Sequence, residues 1–99
     1  MRLSEVERRA IVTIAREEIG GDVQVRLFGS RADDRARGGD IDLMVETDRA
    51  LPDRLRQELR LGVRLERALG GRRVDLLLVD PTVPLQPVHR VARREGVAL

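Results

Sequence analysis

The chain contains no cysteine and no lysine, one aromatic residue, Phe28, and no long apolar run. Without cysteine, neither a disulfide framework nor a thiolate metal site can form, which fits a reducing compartment. No stretch reaches the roughly 20 apolar residues of a membrane-spanning helix. The opening MRLSEVERRA carries charges where a signal peptide would need an apolar run. A cytoplasmic protein with no membrane partner is expected. A single aromatic residue offers no platform for stacking successive bases. All 19 basic residues are arginine, which does not titrate in the accessible range. The isoelectric point is therefore high although the formal charge is only +2. Segments such as ERR, REE and RADDRAR mix the two signs as solvated surfaces do, so a nucleic-acid partner is not expected.

What is present suits one globular domain over residues 1–99. A chain of this length buries roughly 60–65% of its unfolded surface, and its 41% apolar content is ordinary. There is no internal repeat. Ser4 and Glu7 have the spacing of a capping box. Leu3, Val6, Ala10 and Ile14 then recur at helical spacing, and Gly20-Gly21 ends the helix. Val23 to Phe28 alternates as a strand, and Ile41 to Val45 forms a second. Pro52 suits the first turn of another helix, with Leu55, Leu59, Val63 and Leu69 among its apolar positions, closed by Gly70-Gly71. Val74 to Val79 is almost wholly apolar and reads as a third, central strand. A last short helix runs through His89 to Arg94, before the GVAL tail. The order predicts an α+β fold of two layers, a small mixed sheet of three or four strands with helices covering one face.

The informative segment is LFGSRADDRARGGDIDLMV, Leu27 to Val45. A strand runs into Gly29-Ser30, and Asp40-Ile-Asp42 opens the next strand. Alternation directs Asp40 and Asp42 to one face. Two neighbouring carboxylates repel unless a cation or proton neutralises one, and hard oxygen ligands suit Mg²⁺. Asp75, inside an apolar strand where an unpaired charge would be costly, is the candidate third carboxylate. In a two-metal site one ion helps to activate the attacking oxygen and the other steadies the leaving group. Gly29 allows close backbone approach to a phosphate, Ser30 adds a hydroxyl donor, and Arg31 is placed to reach phosphate oxygens. Asp33 and Asp34 are expected to face solvent, Asp80 to serve a strand-exit turn, and His89 to face solvent or a partner.

This pattern resembles the hG[GS]–x–DhD signature of the DNA polymerase beta nucleotidyltransferase superfamily, and the size resembles its minimal prokaryotic nucleotidyltransferases. The REGVAL ending is similar to tails in that group. The resemblance implies a polymerase-beta-like core in which Gly29 and Ser30 bind the triphosphate and Asp40 and Asp42 bridge two Mg²⁺ ions. Asp75 is then the base and third metal ligand. It further implies transfer of a nucleoside monophosphate, by default AMP from ATP, to a hydroxyl of a partner protein. That partner would be a helical HEPN-type toxin encoded nearby, with this chain as antitoxin. Almost every apolar segment is needed for one core, so a second protein is expected to supply the acceptor and part of the nucleotide site. The alternative is a non-catalytic module that neutralises a partner by covering it.

Overall fold

The computed structural model describes residues 3–29 and 41–99. Helix α1 (Glu5–Glu18) opens with the predicted capping box: Glu7 N–H donates to Ser4 Oγ and Ser4 N–H to Glu7 Oε1, at 3.1 and 2.8 Å. Strands β1 (Gln24–Phe28) and β2 (Ile41–Glu46) follow. Next come helix α2 (Arg54–Ala68), strand β3 (Val74–Val79), helix α3 (Pro87–Glu95) and the two-residue strand β4 (Val97–Ala98). Pro52 does not enter the first turn of α2, because Asp53 is the N-cap and accepts from Arg56 N–H. Gly70 and Gly71, at φ +74° and +85°, end α2 in a left-handed turn that suits glycine.

The sheet order is β3-β2-β1-β4, with β2 and β3 parallel and the other pairs antiparallel. The parallel pair is possible because α2 carries the chain back across the sheet. Ile41, Leu43 and Val45 of β2, with Val25, Leu27, Val74 and Leu78, face Ile11 and Ala15 of α1 and Leu61 and Leu65 of α2. Leu61 and Leu65 have no exposed surface, so truncating either to alanine would cost about 2–5 kcal/mol.

Three expectations are corrected. The helices do not all cover one face: α3 packs on the other, where Ala92 meets Phe28, Met44 and Val79. The strand VDLLLV is an edge and not the centre. Its apolar character comes from cover on both faces, by α2 and by the Met44–Val79–Ala92 cluster, and its open side is partly sealed by α2. The N–H groups of Val74 and Leu78 donate to the carboxylates of Glu66 and Glu58 at 3.0 and 2.9 Å. This blunts an edge that would otherwise invite pairing. The apolar positions of the helices are also divided differently. Val6, Leu55, Leu59 and Val63 are 77, 64, 73 and 50% exposed, while Ile11, Ala15, Leu61 and Leu65 fill the core.

Among the described residues no helix is long and apolar enough to cross a membrane.

Candidate active site

The strand register brings the site together. Asp42 is the antiparallel partner of Phe28, the last residue of β1, and the parallel partner of Asp75 on β3. Register partners on adjacent strands project to the same face and lie about 5 Å apart along the hydrogen-bonding direction. Asp42 and Asp75 therefore rise together from the face that carries Phe28, Met44 and Leu77. The two carboxylates are separated by 33 positions in sequence (75 − 42) and are adjacent only because β2 and β3 pair.

Gly29 follows Phe28 at φ +72°, and a Cβ built there would lie 2.5 Å from Asp42 Oδ2. The turn after β1 is thus pressed against the first carboxylate, with no side chain between them. Hard oxygen donors beside an exposed backbone turn are the chemistry that Mg²⁺ and a phosphate chain require, so the residues present fit a metal-bound triphosphate. Asp40, Ser30, Arg31, Asp33 and Asp34 lie outside the described residues. Among the described residues no three His, Asp or Glu side chains form a group that could hold a metal ion.

Asp75 differs from its expected setting. Its side chain is 47% exposed at the start of the edge strand, and Arg73 Nε lies 3.4 Å from its Oδ1. An ion pair and solvent, and not burial, surround this carboxylate. Arg73 was not singled out from sequence; its signal was its place two residues before Asp75, which puts both side chains on one face of an extended chain.

Further along the same face, Arg26 of β1 and Arg93 of α3 converge on Glu46. Arg26 Nη1 donates to Oε1 at 2.6 Å, and Arg93 Nε donates to Oε2 at 2.9 Å. Glu46 raises the pKa of Arg93 through these hydrogen bonds and its charge. The pair locks α3 against the sheet. A cavity of about 390 Å³, lined by Arg26, Glu46, Asp80 and Arg93 among others, opens at this end. It lies at the opposite end of β2 from Asp42, and Asp22, Arg26, Glu46, Asp80 and Arg93 in its lining already have hydrogen-bond partners, so it is not the candidate centre.

Asp80 serves the strand exit, as expected. It is 3% exposed and accepts from Leu51 N–H at 2.8 Å and from Thr82 N–H and Oγ1 at 2.9 and 2.6 Å. The Leu51 and Thr82 hydrogen bonds hold its carboxyl below the usual carboxylate range. His89 does not face solvent. It is 6% exposed, and its Nδ1 accepts from Gln86 N–H at 2.8 Å, closing the first turn of α3. The helix turns this side inward beside Ala92, which proline content alone could not indicate.

Residues 8–97 match the family described as Nucleotidyltransferase domain. The chain belongs to that family. Its fold is similar to a solved protein provisionally named a minimal nucleotidyltransferase, at 29% identity and a TM-score of 0.69, covering 95% of this chain and 90% of that one. No curated protein matches by sequence. The family carries out nucleotidyl transfer, and its domains generally use a nucleoside triphosphate and a divalent metal. Among the described residues, three helices and a four-stranded mixed sheet agree with the α+β core expected for this nucleotidyltransferase.

Proposed function

We propose that this nucleotidyltransferase moves AMP from ATP to a hydroxyl on a partner protein in the presence of Mg²⁺, and that the partner is a helical HEPN-type toxin which the chain restrains as its antitoxin. The observation that carries the reading is the pairing of Asp42 with Asp75 on one sheet face, with Gly29 against Asp42. Asp40, Asp42 and Asp75 would hold two Mg²⁺ ions, which supply charge neutralisation for the triphosphate and the leaving pyrophosphate. Gly29, Ser30 and Arg31 would position the phosphates through backbone N–H groups, a hydroxyl and a guanidinium. The acceptor oxygen forms a bond to the α-phosphorus, the bridging bond to the β-phosphate breaks, and pyrophosphate leaves. Asp75 takes the hydroxyl proton, a role that its 47% exposed side chain leaves open to an incoming acceptor. Arg73, beside it, would orient that carboxylate.

The test is incubation of the purified chain and its neighbouring-frame partner with α-labelled ATP and Mg²⁺. Label on the partner, lost in Asp42→Asn, is the expected result. Label only on free RNA or a small molecule would overturn the protein-acceptor reading. A second reading, neutralisation by covering alone, is favoured by the exposed apolar stripe of α2. It predicts that Asp42→Asn still silences the partner.

A further inference from the structure

The outer face of α2 is built to be covered. Leu55, Leu59 and Val63 are 64, 73 and 50% exposed and stand at successive four-residue steps. They form one stripe about 12 Å long at 1.5 Å per residue. Beside the stripe lies a cavity of about 270 Å³ between α2 and the β3 edge, lined by Leu59, Gly62, Val63, Val74 and Leu76 together with Glu58 and Glu66, whose carboxylates are engaged by the N–H groups of the β3 edge. A Cβ on Gly62 would meet nothing within 4 Å, so the helix surface is open there.

We propose that this face docks an amphipathic helix of the partner protein, with an apolar stripe bordered by aspartate or glutamate; the proposal rests on the reading that the acceptor is a protein. Three observations select this occupant. A strand cannot add to the edge here without displacing Glu58 and Glu66, which already accept the N–H groups of Leu78 and Val74; recognition therefore runs through side chains. The flank of α2 away from β3 carries the exposed Arg56, Arg60 and Arg67; Arg56 is paired with Asp53, and Arg60 and Arg67 call for carboxylates on the incoming helix. A second copy packed antiparallel fits poorly, because that arrangement of two identical helices sets the same flank against itself and opposes arginine to arginine.

The location matters to the reaction. Leu76 lines the docking cavity, and its neighbour Asp75 rises from the opposite face of the same edge strand. A body seated on α2 and Leu76 need only turn around the edge to bring a hydroxyl to the carboxylates.

Two synthetic helical peptides test the proposal, each with leucines at i, i+4 and i+8, one bordered by glutamates and the other by lysines. Binding to the isotope-labelled chain is followed by NMR titration and fluorescence anisotropy. The glutamate-bordered peptide should saturate, shift residues 55–63 and 76, and bind at least about tenfold more tightly than the lysine-bordered one, the difference of about 1.4 kcal/mol that one charge-complementary border supplies. Leu59→Glu should weaken it by at least about tenfold. The paired substitution Arg60→Glu with Arg67→Glu, which leaves the apolar stripe intact, should reverse the peptide preference. Equal affinity for the two peptides, no saturation, or shifts elsewhere overturns the proposal. So does self-association of the chain that Leu59→Glu abolishes, since a second copy would then own the face. The α-labelled ATP assay on the chain with its full partner separates the two readings. Peptide binding without label on the partner overturns nucleotidyl transfer and supports docking; label on the partner without peptide binding overturns docking alone.

Discussion

Gly29 and Asp42 are in such close contact that the glycine's missing Cβ would stand 2.5 Å from Asp42 Oδ2. The backbone at Gly29 is also left-handed, at φ +72°, where an L side chain costs about 1–2 kcal/mol. Gly29→Ala should therefore lose about 1–2 kcal/mol of stability and displace the Asp42 carboxylate as well. Urea denaturation and transfer assays on the same variant check both. A variant with wild-type stability and activity would show that the turn and the carboxylate are not coupled.

Asp42→Asn and Asp75→Asn should leave the fold intact. Removing the Asp75 charge relieves repulsion from Asp42 and gives up an exposed ion pair with Arg73 worth about 0–1 kcal/mol, so the metal-free Asp75→Asn protein should stay within about 1 kcal/mol of wild type. Transfer should fall on the order of a hundredfold or more, as for loss of a group that stabilises developing charge. Wild-type protein should gain thermal stability with added Mg²⁺, because a ligand that binds only the folded chain stabilises it by about 2.7 kcal/mol at a hundred times its dissociation constant. Chelation should remove that gain, and Asp42→Asn should not show it. Equal Mg²⁺ shifts in both proteins would remove Asp42 from the metal site.

Acid should destabilise the protein through Asp80 and Asp22. Both carboxyls are held below the ordinary range, Asp80 by the hydrogen bonds from Leu51 and Thr82, and Asp22 by those from Arg49 and Thr47. A group depressed in the folded state contributes fully above its unfolded pKa, about 3.9 for aspartate. The contribution is lost as pH falls from there through the lower folded value. Urea midpoints should therefore be flat from pH 7 to about 5 as far as these groups decide and fall below about 4. Asp80→Asn should reduce the acid slope. Asp80→Ala should cost about 1–3 kcal/mol at pH 7 by leaving backbone donors unpaired.

His89→Ala should cost about 1 kcal/mol or somewhat more, because Gln86 N–H then loses the acceptor that closes the first turn of α3. Transfer activity per folded molecule should not change, as His89 is buried in the α3 cap and not at the carboxylates. Denaturation midpoints and initial rates separate the two. A rate loss beyond the unfolded fraction would give His89 a role that its position does not support.

The amino-acid sequence by itself determined most elements of this protein. The Ser4–Glu7 box starts α1, alternation marks β1 and β2, and the glycine pair after Leu69 ends α2. It also marked the carboxylates and the turn, because Gly29-Ser30 and Asp40-Ile-Asp42 are local patterns whose chemistry needs those residue types in that order. Tertiary structure decided which elements are neighbours. The apolar strand Val74–Val79 took an edge, since hydrophobicity reports cover above and below a strand and not pairing at its sides. The stripe Leu55–Leu59–Val63 stayed outside because the sheet fills only the face of α2 that carries Leu61 and Leu65. His89 went inside because α3 crossed to the second face. Periodicity belongs to one segment and survives in the linear order. The pairing of Asp42 with Asp75, which makes the candidate site, is a relation between segments that only packing creates.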